Sequence, residues 1–342
     1  MGRLLTNLER EDRVVQAETL VRNGVKSCLS SSLPEMKSIL KPTLDLYFSL
    51  CAISRGKGSA DDLRFRAEAI LFPLRVRIER VILENVLLTL RTGANVRTAK
   101  KGCLFGFSKK QGTSVRFPLA SCQPTSKCAS ACYAHDVLDA APNSVIRGAI
   151  NGGLGKWFSE ISKFQQENVI GELESDCRNA IREALRELSV LPKGYKRPAF
   201  IRFAHVGDAA AYYEFANALA AKIKKMSRGR VQSVVYTRHS DAKFFDPEVF
   251  VVNFTLDSSS MDRANWIPPF ARRVFSAFGG IVDRDSEVNF LEHHRWHHSK
   301  PIGLGMVCPA TKPEAPEHTC DAVRCHKCFV APTQKVESPN GH

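Results

Sequence analysis

Two groups of cysteines have the spacing of metal ligands. Residues 121–136, SCQPTSKCASACYAHD, place Cys122, Cys128 and Cys132 in the pattern C-x5-C-x3-C. Cysteine thiolates are the usual ligands of iron–sulfur clusters, and three on one short loop can hold three irons of a 4Fe–4S cluster. Tetrahedral zinc with His135 as the fourth ligand is one alternative, and three ordinary buried thiols are another. This loop is therefore a candidate metal centre.

The second group lies near the C-terminus in the pattern C-x11-C-x4-C-x2-C. Its members are Cys308, Cys320, Cys325 and Cys328. Four thiolates are enough to close a site, and a C-x2-C pair binds either zinc or a cluster. Because His318 and His326 lie nearby, zinc is an alternative to a second 4Fe–4S cluster. One cluster, two clusters, or a single site shared by both groups are all compatible with this pattern.

Other potential ligands stand singly or in a short histidine run. Cys103 precedes the first group and is a candidate additional ligand, whereas Cys28, Cys51 and Cys177 are predicted to be packing residues. The run EHHRWHH over residues 292–298 would place its histidines in pairs four apart, which share a face on a helix. We interpret this run as a solvated or anion-facing patch, with a metal site as the alternative.

Composition limits the class of protein. A chain of 342 residues can bury a large core without disulfides. Its first residues are charged, unlike a signal peptide, and no apolar stretch is long enough to cross a bilayer. A cytoplasmic protein with reduced thiols and no membrane partner is expected. The net charge of +14 favours a polyanionic partner, nucleic acid being the commonest, although a merely solvated basic surface is the alternative.

The first 95 residues are predicted to form a helical N-terminal region, because apolar residues recur there at helical spacing. Ser59 is a candidate N-cap, and Pro42 and Pro73 are expected to interrupt or kink their helices. One apolar face of this region would dock on the remainder of the chain or on a second copy, forming a homo-oligomer.

Residues 114–330 are predicted to form an α/β domain that carries both cysteine groups. The apolar segments RPAFIRFAHV, VQSVVYTR, VFVVNFTL and RRVFSAF are predicted strands that alternate with helical segments, and PIGLGMVCP is a candidate last strand. This alternation favours a mostly parallel sheet, open or closed as a partial TIM-like barrel. The flanking segments are a basic loop or linker over 96–113 and a disordered tail over 331–342.

Polar residues follow several of these strands, and ligands of such folds bind beyond the carboxyl ends of parallel strands. Arginine there would bind an anionic ligand, and aspartate a hydroxyl or an amine. An ion-pair network that ties the strand ends together is the alternative. Cys308, after GLGMV, would bring the second cysteine group to the same edge. The predicted pocket residues are Arg202, His205, Asp208, Tyr236, Arg238 and Asp257.

The order of these motifs resembles the "gene product 88" family of phages and mobile elements. The similar pieces are CQPTSKCASACYA, IRFAHVGDAAAYYEF, VVYTR, VNFTLDSSS and the C-terminal cysteines, within residues 122–329. This resemblance implies iron–sulfur binding. The CYA ending and the α/β layout also resemble radical S-adenosylmethionine enzymes, although their usual spacing is C-x3-C-x2-C; this second resemblance implies S-adenosylmethionine as a further cofactor.

The sequence as a whole predicts an iron–sulfur protein of a phage or mobile element that contacts nucleic acid, with a structural or redox-sensing cluster. A cluster-dependent redox or radical enzyme is the first alternative. A zinc-stabilised nucleic-acid-binding protein is the second.

Overall fold

The structure is a computed structural model. It describes residues 6–23, 33–55, 61–93, 96, 104–108, 112–130, 132–135, 137–191, 197–278, 282–292, 307 and 327–332. Several residues of interest lie outside these ranges: Cys28, Cys103, Cys308, Cys320, Cys325, His293, His294, His297, His298, His318, His326 and the predicted tail from 333 onward.

The N-terminal region is helical, as its sequence predicts. It comprises α1 (Asn7–Asn23), α2 (Leu33–Arg55) and α3 (Asp61–Arg91). Neither Pro42 nor Pro73 ends its helix. A proline inside a helix costs about 3 kcal/mol, but the helical turns around Pro73 bury an apolar face that includes Leu71 and Leu74, and this packing offsets the cost.

The sheet has seven strands in the order in which they occur along the chain. β1 (Phe105–Ser108) and β2 (Gly112–Val115) are antiparallel, and all later pairs are parallel. The later strands are β3 (Ala199–Phe203), β4 (Val231–Thr237), β5 (Phe250–Leu256), β6 (Arg272–Phe278) and β7 (Val288–Glu292). The predicted mostly parallel α/β sheet is therefore confirmed. Over the described ranges β1 does not pair with β7, so the sheet is open and a closed barrel is not formed.

Two details of the sheet differ from or extend the sequence prediction. The segment 96–113, expected to be a loop, contains β1 and the start of β2. Phe105 pairs with Val115 and both are buried, so tertiary packing outweighs the Gly- and Lys-rich composition. Val307 forms an isolated parallel bridge with Asn289 of β7, where the last short strand was expected.

The helices between β2 and β3 are α4 (Ser126–Ser130), α5 (Val137–Ala140), α6 (Pro142–Phe158), α7 (Lys163–Glu172) and α8 (Glu174–Ser189), and α9 (Tyr213–Ser227) lies between β3 and β4. Of these, α8 packs on β2 and β3 and α9 packs on β4, and they cover one face of the sheet. One hydrophobic core joins Leu74 of α3, Ala149 of α6 and Phe203, Val235 and Phe254 of the sheet. The N-terminal helices therefore share their core with the sheet. Among the described helices, none combines the length and apolar content needed to span a membrane.

The opposite face, here called the second sheet face, carries Phe200, Val234 and Val251. Phe329 covers it by stacking on Phe200 at 4.0 Å between ring centroids. Two buried polar side chains of the sheet hold this C-terminal segment: Asn253 Nδ2 donates to the Cys328 carbonyl (3.1 Å), and Arg272 Nη2 donates to the Val330 carbonyl (3.0 Å). Residues 327–330 are thus part of the fold.

A glycine after β3 allows a close backbone approach, and this gives a stability prediction. Gly207 has a φ of 79°, and a Cβ there would meet the backbone of Phe117 and Pro118. We expect Gly207→Ala to lower the free energy of unfolding, measured in urea, by more than about 3 kcal/mol, because a clash is added to backbone strain of about 1–3 kcal/mol.

The matched control for this change is Gly229→Ala. Gly229 has a φ of 73° with no atom within 4 Å of the added Cβ. Gly229→Ala should lower the free energy of unfolding only by the cost of placing an alanine in the left-handed region, about 1–2 kcal/mol. Equal losses in the two variants would contradict the close approach at Gly207.

Candidate metal centre

The three-cysteine loop lies over the carboxyl ends of the parallel strands. After β3, the backbone N–H of Asp208 donates to Ser121 Oγ (2.7 Å). After β4, the N–H of Ser240 donates to Gln123 Oε1 (3.2 Å). After β5, Arg263 Nη1 donates to the Gln123 carbonyl (2.6 Å). Three strand ends therefore position the loop, at the edge of the sheet where ligands of parallel folds bind.

Cys128 is fixed by a chain of hydrogen bonds that begins in the sheet. Its backbone N–H donates to Thr125 Oγ1 (3.0 Å), which caps the short helix α4. The Thr125 hydroxyl donates in turn to Asp257 Oδ2 (2.7 Å), after β5. Arg238, after β4, donates to the same carboxylate oxygen (2.6 Å) and to Ser276 Oγ of β6 (3.0 Å). The middle cysteine thus has a set position relative to three strands.

Cys122 and Cys132 pack together against α3. They belong to a small apolar cluster with Leu119, Ala134 and Val206, on which Phe72 and Val76 also pack. Burial raises the pKa of the Cys122 thiol well above its ordinary value, and Asp208 and the thiols of Cys132 and Cys128 raise it further. The thiols of Cys128 and Cys132 therefore both lie within electrostatic reach of the Cys122 thiol. The described cysteines form no disulfide.

The described donors do not form a site for a single metal ion. Over the described part of the chain, no three His, Cys, Asp or Glu side chains converge closely enough to hold one metal ion. A 4Fe–4S cluster takes one thiolate at each iron corner, so its ligands need not converge on one point. His135, the alternative zinc ligand, is buried with Nδ1 2.8 Å from Tyr47 Oη of α2.

A buried ion pair in α3 holds both ends of the loop. Arg75 and Glu79 are 1% and 0% exposed, with Nε 2.8 Å from Oε1. Glu79 Oε2 accepts from the N–H of Ala120, before the cysteines (3.3 Å). Arg75 Nη1 donates to the carbonyls of Ala134 (2.5 Å) and Asp139 (3.0 Å), after them. Burial raises the pKa of Glu79, and the charge and hydrogen bond of Arg75 oppose that shift.

The loop contacts three of the six predicted pocket residues. Asp208 and Asp257 bind it as described, and Arg238 binds it through Asp257. Asp208 also accepts from Thr237 Oγ1 (2.9 Å), and burial raises its pKa. Burial likewise favours a higher pKa for Asp257, but hydrogen bonds from Ser259 and Thr125 and the charge of Arg238 outweigh it, so that pKa is lowered.

The other three predicted residues lie elsewhere. Arg202 and Tyr236 are on the second sheet face, with the guanidinium carbon 4.5 Å from the ring centroid. His205 is 2% exposed, and its Nε2 lies 3.0 Å from both carboxylate oxygens of Asp139. Burial lowers the pKa of His205 against the opposing effect of its hydrogen bond to Asp139, and the charge of Arg202 lowers it further. The ion-pair interpretation of the strand ends holds for Arg238 and Asp257.

Of the C-terminal cysteines, Cys328 alone falls within the described ranges. It is buried on the second sheet face, in a cluster with Val274 and Val288 against which Tyr236 and Phe290 pack. A site shared by both cysteine groups stays a prediction.

Several positioning residues were not identified from the sequence. Thr125, three residues before Cys128, has the signature of a helix N-cap and could have been found from it. Arg75 and Glu79 are four apart in an apolar helix, which is the spacing of an intrahelical ion pair. Nothing in the sequence links them to the cysteine loop, because their other partners are backbone groups far along the chain.

Comparison of the chain with protein-family models, with curated proteins and with solved structures finds no match.

The buried pair of α3 gives the second stability prediction. Arg75→Met should lower the free energy of unfolding in urea by about 3–5 kcal/mol, because it leaves a buried carboxylate without its cation. The double variant Arg75→Met/Glu79→Leu should recover part of that loss. Arg66→Met, which breaks the solvent-accessible pair between Arg66 of α3 and Glu18 of α1, is the control and should lower the free energy of unfolding far less. A loss in Arg75→Met as small as in the control would contradict the role of the pair.

Proposed function

We propose that this chain is an iron–sulfur protein in which Cys122, Cys128 and Cys132 bind a 4Fe–4S cluster at the carboxyl edge of the sheet. The observation that carries the proposal is a three-cysteine loop that both α3 and the strand ends hold in place, with Cys122 and Cys132 packed in one apolar cluster. The resemblance to the phage and mobile-element family agrees with it. The cluster serves as a structural or redox-sensing part.

The residues around the loop suit this role. Phe72 and Val76 of α3 shield Cys122 and Cys132 from water. Lys127 Nζ is hydrogen-bonded to Ser258 Oγ (2.6 Å), which keeps a positive charge beside Cys128. Solvent exposure and nearby charge both set the reduction potential of a cluster. A bound cation would also reverse the raised pKa of Cys122, since ligating thiols are deprotonated.

The C-terminal cysteines form the second part of the proposal. Cys308, Cys320, Cys325 and Cys328 would bind a second cluster or a zinc ion. The support is the anchoring of Cys328, whose carbonyl accepts from Asn253 on the second sheet face. Cys328 would thus present its thiolate from an anchored backbone, as one member of the C-x2-C pair.

Nucleic acid is the proposed partner. Lys224, Lys225, Arg228 and Arg230 are all exposed at the end of α9, on a chain of net charge +14. Because these residues directly precede β4, the basic cluster lies at the amino end of that strand, whereas the cysteine loop lies at the carboxyl ends. A polyanion bound there would leave the cysteine loop accessible.

A cluster-dependent redox or radical enzyme is the second candidate. The linked side chains of Arg238, Asp257 and Asp208 favour it, because they lie directly under the loop at the sheet edge where substrates bind in such folds. In this version the sequential strand order belongs to a partial TIM-like barrel, and S-adenosylmethionine is a co-substrate. Tight binding and reductive cleavage of S-adenosylmethionine would support the enzyme.

Metal analysis tests the first part of the proposal. Anaerobically purified protein should absorb broadly near 400 nm and contain about four irons per chain, or about eight if both groups bind clusters. Cys128→Ala should lose the signal of one cluster. Cys177→Ala, at a buried cysteine of α8, is the control and should keep the full iron content. A colourless protein with stoichiometric zinc would contradict the proposal and leave the zinc-stabilised alternative.

Salt dependence tests the nucleic-acid partner. Binding to a duplex oligonucleotide should weaken steeply with salt, and Lys225→Gln/Arg228→Asn should reduce the slope of log affinity against log salt by about 1–2. Asparagine is chosen at Arg228 because its φ of 52° is left-handed. Lys41→Gln/Lys156→Gln removes equal charge from α2 and α6, and should leave the slope unchanged. Equal slopes in the two double variants would count against a site at the end of α9.

A further inference from the structure

Three arginines lie on or beside the β1–β3 side of the second sheet face. Arg116 follows β2, Arg147 lies on α6 and Arg202 lies on β3. A Cβ on Gly106 of β1 would be 3.1 Å from Arg147 Nη1 and 3.7 Å from Arg116 Nε, so both guanidiniums stand over that glycine. The two guanidiniums can lie close together because Gly106 has no side chain to occupy that space.

Strand register connects this pair to Arg202. Gly106 pairs with Ser114 of β2, and Ser114 pairs with Arg202. Residues paired across strands point to the same face, and neighbouring strands are about 5 Å apart. The row from Gly106 to Arg202 is therefore only about 10 Å wide. We call Arg116, Arg147, Arg202 and Ser114 the arginine cluster.

The charges of the arginine cluster are not balanced. Asp139 pairs with Arg116 (2.9 Å), and it also binds His205, whose pKa burial lowers, so that this histidine adds no charge near neutral pH. Neither Arg147 nor Arg202 has a hydrogen bond or ion pair with the described part of the chain. Within the described ranges, these two partly exposed guanidiniums therefore have no counter-charge.

Two buried donors also have no acceptor. Ser114 is 1% exposed, and its Oγ has no hydrogen-bond partner. The buried Nε of Arg202 has none either, while the guanidinium is held against the ring of Tyr236. Buried polar atoms without partners are rare in folded proteins. Guanidinium groups only donate and the hydroxyl has a hydrogen to donate, so the missing group must present acceptors and negative charge.

We propose that the arginine cluster binds the phosphate group of a small molecule. A phosphate monoester carries about −1.5 to −2 charges at pH 7, which matches the positive charge of two uncompensated guanidiniums. A single carboxylate would balance only one of the two. Its oxygens accept paired hydrogen bonds from arginine forks. The site needs no metal, so it does not depend on the proposed cluster.

Inorganic phosphate is the probe, titrated at constant ionic strength into full-length protein as purified, with the shift in Tm and calorimetry as readouts. Saturable binding that weakens at least tenfold in both Arg202→Gln and Arg147→Gln is expected. Arg182→Gln removes an exposed arginine of α8 and should bind as the wild type does. Wild-type phosphate affinity in Arg202→Gln, or no saturable binding to the wild type, would overturn the proposal. So would acetate binding as tightly as phosphate.

A second variant keeps the test decisive if the arginine variants fold poorly. Ser114→Ala removes a buried hydroxyl that lacks a partner in the free protein, so it should raise Tm without phosphate and reduce the phosphate-induced shift. An unchanged phosphate-induced shift in Ser114→Ala would overturn the proposal. Iron and zinc analysis of the same samples reports on the cluster separately, so the two proposals fail or succeed independently.

Discussion

The ion pair of Arg75 and Glu79 is the interaction on which the candidate centre depends. Both side chains are fully enclosed in the middle of α3, where an unpaired charge would cost several kcal/mol. Arg75 also donates to Tyr47 Oη of α2, and the other hydrogen bonds of the pair go to backbone groups on either side of the three cysteines. The helix therefore cannot bury its charges unless the loop is docked, and this explains why an irregular segment has a defined position.

The sheet holds the same loop from the other side. Three residues of the loop bind groups that follow three different parallel strands: Ser121 after β3, Gln123 after β4 and Thr125 after β5. The loop is therefore anchored to strands that are far apart in the sequence. Side chains that looked like pocket residues have a supporting role here: Asp208 and Asp257 accept mainly from protein donors. Such rigid support is what a metal ligand set requires, because ligand geometry is set by the groups behind it.

Local sequence patterns predicted the parts of the fold that depend on local properties. Apolar runs identified β3 to β6, and the rule that strand ends share an edge brought Asp208, Arg238 and Asp257 towards the cysteine loop. The strands β1 and β2 were missed because pairing, not composition, makes them strands. Pairing in register likewise aligned Ser114 with Arg202, which no periodicity in the sequence could indicate. The positions of His205 and Tyr236, away from the loop, also depend on tertiary packing, which local sequence patterns do not show.

The covering of the second sheet face by residues 327–330 has a consequence for biosynthesis. Phe200, Val234 and Val251 leave the ribosome long before Phe329 does, and chains fold progressively as they emerge. Until Phe329 arrives, the Phe200 ring lacks the aromatic partner that stacks on it. Exposed apolar side chains of incomplete chains favour aggregation, so a chain that ends before residue 327 should aggregate more readily than the loss of a short peripheral piece suggests.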